Sequence, residues 1–248
     1  MKKTALITGA SSGIGRGCAV KFGDAGYRLI LTCRHAGKLA DLKERYGDDA
    51  LILEYDVRDY EACKKAVESL PADWRDIDVL VNNAGLALGL DKEYEGDVHD
   101  WDTMIDTNIK GLLYMTRLIV PGMVERQRGH VINIGSIAGE AAYAGGNVYC
   151  ATKAAVKTIS DGLRIDLVDT PVKVTTIKPG LVETNFSNVR FHGDTARADK
   201  VYEGITPLTG DDIADLVLYV AQAPKHVQIA DVLILATHQA NGSIFYRK

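Results

Sequence analysis

Residues 8–15 read TGASSGIG and follow a short apolar run at the start of the chain. In such a stretch Gly9 permits a tight turn, Gly13 lets a phosphate approach the backbone, and Gly15 lets a helix pack closely on a strand. A helix that begins here would present unpaired N–H groups and a partial positive charge to an anion. The stretch therefore predicts a strand–turn–helix unit that binds a dinucleotide, with a turn that binds nothing as the alternative. The residues assigned to this contact are Gly9, Ser11, Ser12, Gly13, Ile14 and Gly15.

Apolar runs of strand length alternate with longer amphipathic stretches along the chain. The predicted strands are residues 4–8, 28–32, 51–55, 79–82, 130–134, 172–177 and 232–235. The predicted helices are residues 14–25, 36–46, 60–70, 100–127, 149–169 and 211–221. Pro121-Gly122 is expected to interrupt a helix, and Asp211 or Asp212 to cap the last one. The pattern predicts an α/β fold, a single-domain Rossmann-like doubly wound parallel sheet of about seven strands with helices on both faces.

The composition fits one globular domain over residues 1–248. Hydrophobic residues make up 46% of the chain and charged residues 25%, which excludes a disordered, collagen-like or coiled-coil protein. The net charge of -4 does not favour binding to nucleic acid or to an anionic membrane, because both reward a concentrated basic surface. The apolar runs are too short to span a bilayer, and the chain reaches Thr8-Gly9 too early for a signal peptide.

The four cysteines show neither a C-x-x-C pair nor the spacing of metal ligands. Free thiols and no bound metal are therefore expected, since disulfides are rare in reducing compartments. The short apolar runs and the early Thr8-Gly9 predict a cytoplasmic protein, and the dinucleotide-binding turn predicts a small-molecule partner. The cysteines are Cys18, Cys33, Cys63 and Cys150.

The stretch 180–210 departs from the alternating pattern. It contains Gly193, Gly204, Pro207 and Gly210, many polar residues and weak periodicity. Because a long irregular stretch inside a compact domain is often functional, residues 180–210 are predicted to form a lid over a substrate site. A surface insertion is the alternative.

The end of the predicted second strand carries Arg34 and no carboxylate. An Asp or Glu there would accept hydrogen bonds from the adenosine ribose and favour NAD. Arg34 instead favours NADP, because a guanidinium can hold a 2′-phosphate by charge-assisted hydrogen bonds. A solvated arginine at a helix start is the alternative.

Two further strand ends are expected to reach the same cofactor. Asp56 and Val57 follow the third predicted strand and are assigned to the adenine edge. The fourth strand is followed by small residues that would let the backbone approach a flat ligand, although ordinary turn chemistry explains them equally well. The residues assigned there are Asn83, Ala84 and Gly85.

Tyr149 and Lys153 lie four residues apart, so their side chains share one face of a helix. A nearby ammonium would favour the phenolate and lower the pKa of the tyrosine from about 10 towards neutrality. Tyr149 would then be a base for alcohol oxidation and an acid for carbonyl reduction. Taken alone, such a pair is more often a surface feature.

Two polar residues strengthen the catalytic interpretation. Ser136 follows the predicted strand 130–134, so its hydroxyl is expected at the carboxyl-terminal edge of the sheet, where ligands bind in α/β folds. Asn108 falls inside a predicted helix, where its side chain would compete for backbone hydrogen bonds. Anchoring a water molecule or Lys153 would explain that position, and an indifferent polar residue is the alternative.

In their order along the chain, these motifs resemble those of the short-chain dehydrogenase/reductase family. The shared motifs are TGxxxGIG at 8–15, NNAG at 82–85, Asn108, Ser136, the pair Tyr149 and Lys153, and Pro179-Gly180. The resemblance implies a Rossmann-like domain, a nicotinamide cofactor and a homotetramer. It also implies that Ser136 hydrogen-bonds the substrate oxygen and that Tyr149 transfers the proton. Lys153 would lower the pKa of the tyrosine and bind the nicotinamide ribose, while Asn108 would hold a relay water.

The same resemblance assigns further cofactor contacts in the stretch after the sixth predicted strand. Pro179, Gly180 and Val182 would pass the nicotinamide amide, and Thr184 would lie near the phosphates.

Within the family, the segments 82–89, 121–126, 143–149 and 186–191 resemble the NADP-dependent 3-hydroxy acid dehydrogenases. The resemblance implies a substrate such as serine, L-allo-threonine or 3-hydroxypropionate. Arg190, between Val189 and Phe191, is the predicted contact for the substrate carboxylate, with a solvated or subunit-contact arginine as the alternative. Gly146 is predicted to make room for the substrate.

Two other functions stay open on the sequence. A general carbonyl or 3-oxoacyl reductase would use the same chemistry, although residues 233–240, LILATHQA, lack the Val-Asp-Gly-Gly ending usual in acyl-carrier reductases of the family. A protein that senses NADP without turnover is the second alternative. The apolar C-terminal tail, residues 241–248, is predicted to dock in a subunit contact.

Overall fold

The computed structural model describes residues 2–248 and contains seven parallel strands in one sheet. In chain order the strands are β1 (Thr4–Ile7), β2 (Arg28–Cys33), β3 (Ala50–Glu54), β4 (Val79–Asn82), β5 (His130–Ile134), β6 (Lys173–Pro179), β7 (Val182–Glu183), β8 (Leu208–Thr209) and β9 (Asp231–Ile234). The sheet has the order β3-β2-β1-β4-β5-β6-β9, and β7 pairs with β8 separately. The predicted doubly wound fold is confirmed. The chain reverses its direction across the sheet between β1 and β4, which is where such folds open a ligand crevice.

Helices cover both faces of this sheet. In chain order they are α1 (Gly13–Asp24), α2 (Ala40–Tyr46), α3 (Tyr60–Glu68), α4 (Val98–Ile105), α5 (Leu112–Glu125), α6 (Asn147–Asp166), α7 (Phe186–Arg190), α8 (Thr195–Lys200) and α9 (Gly210–Ala221). Because successive strand residues point to opposite faces, Ile7 packs in the cluster of α1 and α9, while Leu6 packs in that of α3 and α5. Both residues are fully buried, so the continuous apolar strands are explained by helices on each side.

The predicted interruption at Pro121-Gly122 is wrong, because Pro121 lies inside the continuous helix α5. Pro121 cannot donate to the carbonyl of Arg117, but both residues are exposed, so water can satisfy that carbonyl. The helix is instead irregular at Asp106–Gly111, a π-helical turn between α4 and α5. Asn108 lies within that turn.

The cap of α9 also differs from the prediction. Thr209 is the N-cap, and its side chain accepts from the backbone N–H of Asp212. Asp212 in turn accepts from the backbone N–H of Thr209 at 2.7 Å, so it is the third helical residue of a capping box and not the cap.

The stretch 180–210 is more regular than its sequence indicated. It contains β7, α7, α8 and β8, and each of these elements has no more than 6 residues. Elements this short leave no measurable periodicity in the sequence.

The C-terminal tail runs back along its own chain. The backbone of Tyr246 donates to His238 at 2.9 Å, and that of Lys248 donates to Gly204 at 3.0 Å. The tail thereby reaches the 180–210 segment, and its predicted role in a subunit contact stays a prediction.

Within residues 2–248, no helix combines the length and apolar character needed to cross a bilayer. In the same residues, no group of three or more histidine, cysteine and acidic side chains is arranged to hold a metal ion.

Candidate active site

The carboxyl ends of β1, β2, β4, β5 and β6 open into one cleft with a volume of about 690 Å³. The 180–210 segment and the C-terminal tail form part of its wall. Of the residues assigned from the sequence, all but three line this cleft. The three exceptions are Gly15, Asn108 and Gly146.

The glycine turn between β1 and α1 has the geometry that its sequence indicated. Gly9 and Gly13 adopt positive φ angles of 65° and 52°, which side chains rarely allow. A Cβ on Gly15 would lie 2.4 Å from the carbonyl oxygen of Gly9, so Gly15 serves close packing beneath the turn instead of lining the cleft. Ser12, the N-cap of α1, makes no side-chain capping bond, so the first N–H groups of the helix stay available to an anion.

The residues after β4 hold this turn in place. Thr8 accepts hydrogen bonds from the backbone N–H groups of Asn83 and Ala84, each at 3.0 Å. The side chain of Asn83 donates to the carbonyl oxygens of Thr8 at 2.9 Å and Gly9 at 3.2 Å. Asn83 therefore fixes the backbone of the glycine turn in addition to lining the cleft.

An arginine pair stands at the far end of the cleft. Arg34 is exposed there, and its contact with a 2′-phosphate stays a prediction. Arg58 lines the same region and donates to both carboxylate oxygens of Asp56, with its Nε at 3.1 and 3.0 Å. The side-chain bonds from Arg58 and its charge outweigh partial burial and lower the pKa of Asp56. Sequence reasoning missed Arg58, although its place two residues after Asp56 was a usable signal.

Ser136, Tyr149 and Lys153 converge on the opposite half of the cleft. Ser136 follows β5 and caps a short 3-10 turn, where its Oγ accepts from the backbone of Ala138 at 3.0 Å. Tyr149 and Lys153 lie in α6, and the Lys153 Nζ is 5.9 Å from the Tyr149 ring centroid. That ammonium donates to the carbonyl oxygen of Ile134 at 2.9 Å.

Asn108 is buried outside the cleft and bonds to residues next to this group. Its Oδ1 accepts from the backbone N–H of Leu86 at 2.9 Å, and its Nδ2 donates to the Leu86 carbonyl at 2.8 Å. The same Nδ2 donates to Thr152 in α6 at 3.0 Å. These bonds join the chain after Gly85 to the helix that carries Tyr149 and Lys153, and the anchoring of a water molecule or of Lys153 by Asn108 stays a prediction.

Burial dominates the ionisation of the candidate catalytic pair. Burial and the neighbouring Tyr143 raise the pKa of Tyr149, and Ser136 and the charge of Arg190 oppose that rise only in part. Burial also lowers the pKa of Lys153 from 10.5 to about 8. The prediction that Lys153 brings the tyrosine pKa near neutrality is wrong for the chain by itself, because desolvation acts on both groups.

Arg190 lies next to Tyr149 at the end of α7. Its Nε donates to the carbonyl oxygen of Gly89 at 3.1 Å, and its Nη1 donates to the hydroxyl of Tyr143 at 2.9 Å. Its Nη2 is buried and has no hydrogen-bond partner within residues 2–248. The guanidinium carbon is 5.8 Å from the Tyr149 ring centroid, which places an unused donor beside the candidate proton-transfer group.

Gly146 lies outside this cleft, and its predicted role of making room for a substrate stays a prediction. A Cβ on Gly146 would lie 2.1 Å from the ring of Tyr143, so the ring occupies the place of the missing side chain. Tyr143 lines the cleft and was missed, since it precedes α6 in a loop and shares no helical spacing with Tyr149. Gln239 was missed as well, and its Oε1 accepts from the backbone of Leu181 at 2.8 Å.

The sequence of this chain is similar to those of known proteins over most of its length. The profile of a family described as short chain dehydrogenase matches residues 3–194. The NADP-dependent 3-hydroxy acid dehydrogenase YdfG of Salmonella typhi is 53% identical over 236 residues, covering 95% of each chain. The protein of the same name from Escherichia coli K12 is 50% identical over 240 residues, covering 96% of this chain and 97% of its own.

Solved structures give the same result. The closed form of a serine dehydrogenase complexed with NADP+ superposes with a TM-score of 0.95 at 48% identity, covering 99% of both chains. Serine dehydrogenase from Escherichia coli superposes with a TM-score of 0.85 at 45% identity, covering 96% of this chain and 99% of its own. The chain therefore belongs to the short-chain dehydrogenase family.

Proposed function

We propose that this protein is an NADP-dependent dehydrogenase that interconverts a small 3-hydroxy acid and its 3-oxo partner. The NADP dependence named for the relatives and the serine named for the structural neighbours support this assignment. The observation that carries it is the unpaired, buried Nη2 of Arg190 beside Tyr149, since an anionic group of the substrate would complete its hydrogen bonding.

The residues of the cleft fit NADP. The positive-φ glycines and the uncapped start of α1 form a cradle for the pyrophosphate, and Arg34 supplies a cation for the 2′-phosphate. Asp56 and Val57 would flank the adenine. Asn83, Ala84 and Gly85 would contact the ribose and the adenine ring beside it.

The second part of the cofactor lies nearer the catalytic residues. Pro179, Gly180 and Val182 would flank the nicotinamide, with Thr184 close to Gly13 at the phosphates. Bound NADP supplies the acceptor or donor of the hydride.

Proton transfer is assigned to Tyr149. During oxidation its phenolate oxygen takes the proton of the substrate hydroxyl, and during reduction the phenol returns a proton to the carbonyl oxygen. Ser136 would hold that oxygen by a hydrogen bond, and Lys153 would bind the nicotinamide ribose. Asn108 joins the residues after β4 to α6 through its hydrogen bonds with Leu86 and Thr152.

Recognition of the acid is assigned to Arg190. The side chain is fixed by Gly89 and Tyr143 before a substrate arrives, so little entropy is lost when a carboxylate binds. Arg190 belongs to the 180–210 segment, which we assign as the lid that carries the acid contact.

The assembly and location of the enzyme complete the proposal. Large apolar side chains stay exposed on α6 (Ile165), in the turn after it (Val168) and on α9 (Tyr219), and they suit the subunit contacts of a homotetramer. The four cysteines are separate buried thiols, which suits a reducing cytoplasm.

The test is a matched panel of initial rates. L-serine, L-allo-threonine and 3-hydroxypropionate are each oxidised with NADP and with NAD, and 1,3-propanediol serves as the control for 3-hydroxypropionate because it lacks the carboxylate. We expect NADP-dependent turnover of the acids with kcat/KM at least tenfold above that of the diol, about the contribution of one charge-assisted contact. Faster turnover of the neutral alcohol would move the function to a general carbonyl reductase.

A further inference from the structure

Two cationic side chains flank Tyr149, and they reach it from different parts of the fold. Lys153 is on α6, with its Nζ 5.9 Å from the ring centroid, and Arg190 is on α7, with its guanidinium carbon 5.8 Å from the same centroid. The two side chains differ in the pH range over which they carry a positive charge. Burial lowers the pKa of Lys153 to about 8, whereas a guanidinium stays protonated at any physiological pH.

Arg190 is held at this distance by a local network. The backbones of Gly89 and Arg190 are joined by a hydrogen bond of 2.9 Å, and the Arg190 side chain donates to Gly89 and Tyr143. Phe186 at the start of α7 packs edge-to-face on Tyr149 with ring centroids 5.7 Å apart. The position of the guanidinium therefore depends on α7 lying against the catalytic helix.

The other groups around Tyr149 do not supply a positive charge. Ser136, after β5, favours ionisation through its hydrogen bond, while Tyr143 and Cys150 disfavour it. From the elements packed on Tyr149, the facing cations are Lys153 and Arg190.

We propose that Arg190 has a role separate from binding the substrate acid: its guanidinium stabilises the phenolate of Tyr149 when α7 lies against Gly89, so that seating of this segment prepares the proton acceptor. The role rests on the proposed function only in that Tyr149 is the general acid and base. In oxidation, the substrate O–H bond breaks and the proton passes to the Tyr149 oxygen, which changes from phenolate to neutral phenol. Arg190 favours the reactant state of that transfer, and thus allows oxidation at lower pH.

The size of the effect follows from the position of the guanidinium carbon, 5.8 Å from the centre of the ring over which a phenolate charge is delocalised. At about 6 Å and an intermediate effective dielectric, a unit positive charge changes the pKa of a phenol by about one to two units. Removal of the charge is therefore expected to move the rising limb of the oxidation profile about one to two pH units upward.

The experiment uses a substrate that has no carboxylate. The kcat for oxidation of methyl 3-hydroxypropionate with NADP is measured across pH for the wild type, Arg190→Gln, Arg190→Lys and Tyr143→Phe. Arg190→Gln should shift the profile upward, Arg190→Lys should restore most of the wild-type position, and Tyr143→Phe should shift it less because the charge is kept. An unshifted profile in Arg190→Gln, with only a raised KM for acids, would overturn this role and leave the proposed function intact.

A second readout does not depend on turnover. The ultraviolet absorbance of tyrosinate is titrated with NADP bound, and the Tyr149→Phe spectrum is subtracted to isolate Tyr149. The titration is repeated with Arg190→Gln and with the double variant as its blank. Ionisation at higher pH in Arg190→Gln supports the proposal, and equal midpoints refute it even if the variant is inactive. Full oxidation activity in Tyr149→Phe would instead defeat the proposed function itself.

Discussion

The Arg34→Gln substitution tests how the protein selects its cofactor. Arg34 is exposed at the end of the cleft assigned to the adenosine, so its replacement removes a cation without leaving a cavity. A hydrogen bond between a guanidinium and a phosphate is charge-assisted, and such a bond contributes about 1.5–3 kcal/mol. We therefore expect Kd for NADP to rise roughly ten- to hundredfold, while Kd for NAD stays nearly constant.

Arg58→Gln is the matched control for that change. Arg58 carries the same charge and lines the same region, but it already donates to Asp56 at 2.7 Å. Its loss should weaken NADP binding less than Arg34→Gln does, and should weaken NAD binding to the same extent, because Asp56 is assigned to the adenosine that both cofactors share.

Isothermal titration calorimetry with NADP, NAD, 2′,5′-ADP and 5′-AMP separates these effects. The two fragments report the 2′-phosphate without the nicotinamide, so a contact elsewhere in the cleft cannot imitate the result. Equal losses for NADP and NAD in Arg34→Gln, or no loss for either, would refute the assignment of Arg34 to the phosphate.

Two further substitutions test the catalytic pair. Tyr149→Phe should reduce kcat at least about a hundredfold, the usual contribution of a general acid or base, while NADPH titration by fluorescence gives a nearly unchanged Kd. Substantial remaining turnover would contradict the proton-transfer role. Lys153→Met should abolish activity but raise the free energy of unfolding at pH 7 by up to about 3 kcal/mol. Burial lowers the pKa of Lys153 from 10.5 to about 8, so below pH 8 the folded state buries a charged ammonium at a cost that the methionine removes. Between pH 8 and 10.5 the folded state holds fewer protons than the unfolded state, and the cost fades. Urea unfolding should show the gain at pH 7 and little of it near pH 10.5, and a variant less stable than the wild type at pH 7 would refute the argument.

The sheet was predictable because its strands are buried on both faces and so read as unbroken apolar runs. Ile30 and Leu31 in β2, for example, are fully buried on opposite faces, and a single sequence shows that pattern directly. The glycine turn was predictable for a similar reason, since the positive φ of Gly9 restricts the choice of residue at that position.

Other features depend on contacts between residues that are far apart in the chain. Tyr143 meets Arg190 across 47 positions of the chain, and no local spacing indicates the pair. The direction of the Tyr149 pKa was missed for the same reason, because it is set by how completely tertiary packing removes water from the phenol. Residue types identified the candidate catalytic groups, but burial decides their charge states.

Asn108 shows how the two kinds of information combine. Its amide has two donor hydrogens, and the bonds to Leu86 and Thr152 use both of them. The Asn108 amide therefore has no free hydrogen with which to bind a relay water. Asn108 lies in the π-helical turn Asp106–Gly111, and such turns inside helices are frequent at functional sites. A water near Lys153 must therefore donate its hydrogen bond here, either to the second lone pair of the Asn108 Oδ1 or to a main-chain carbonyl of the turn.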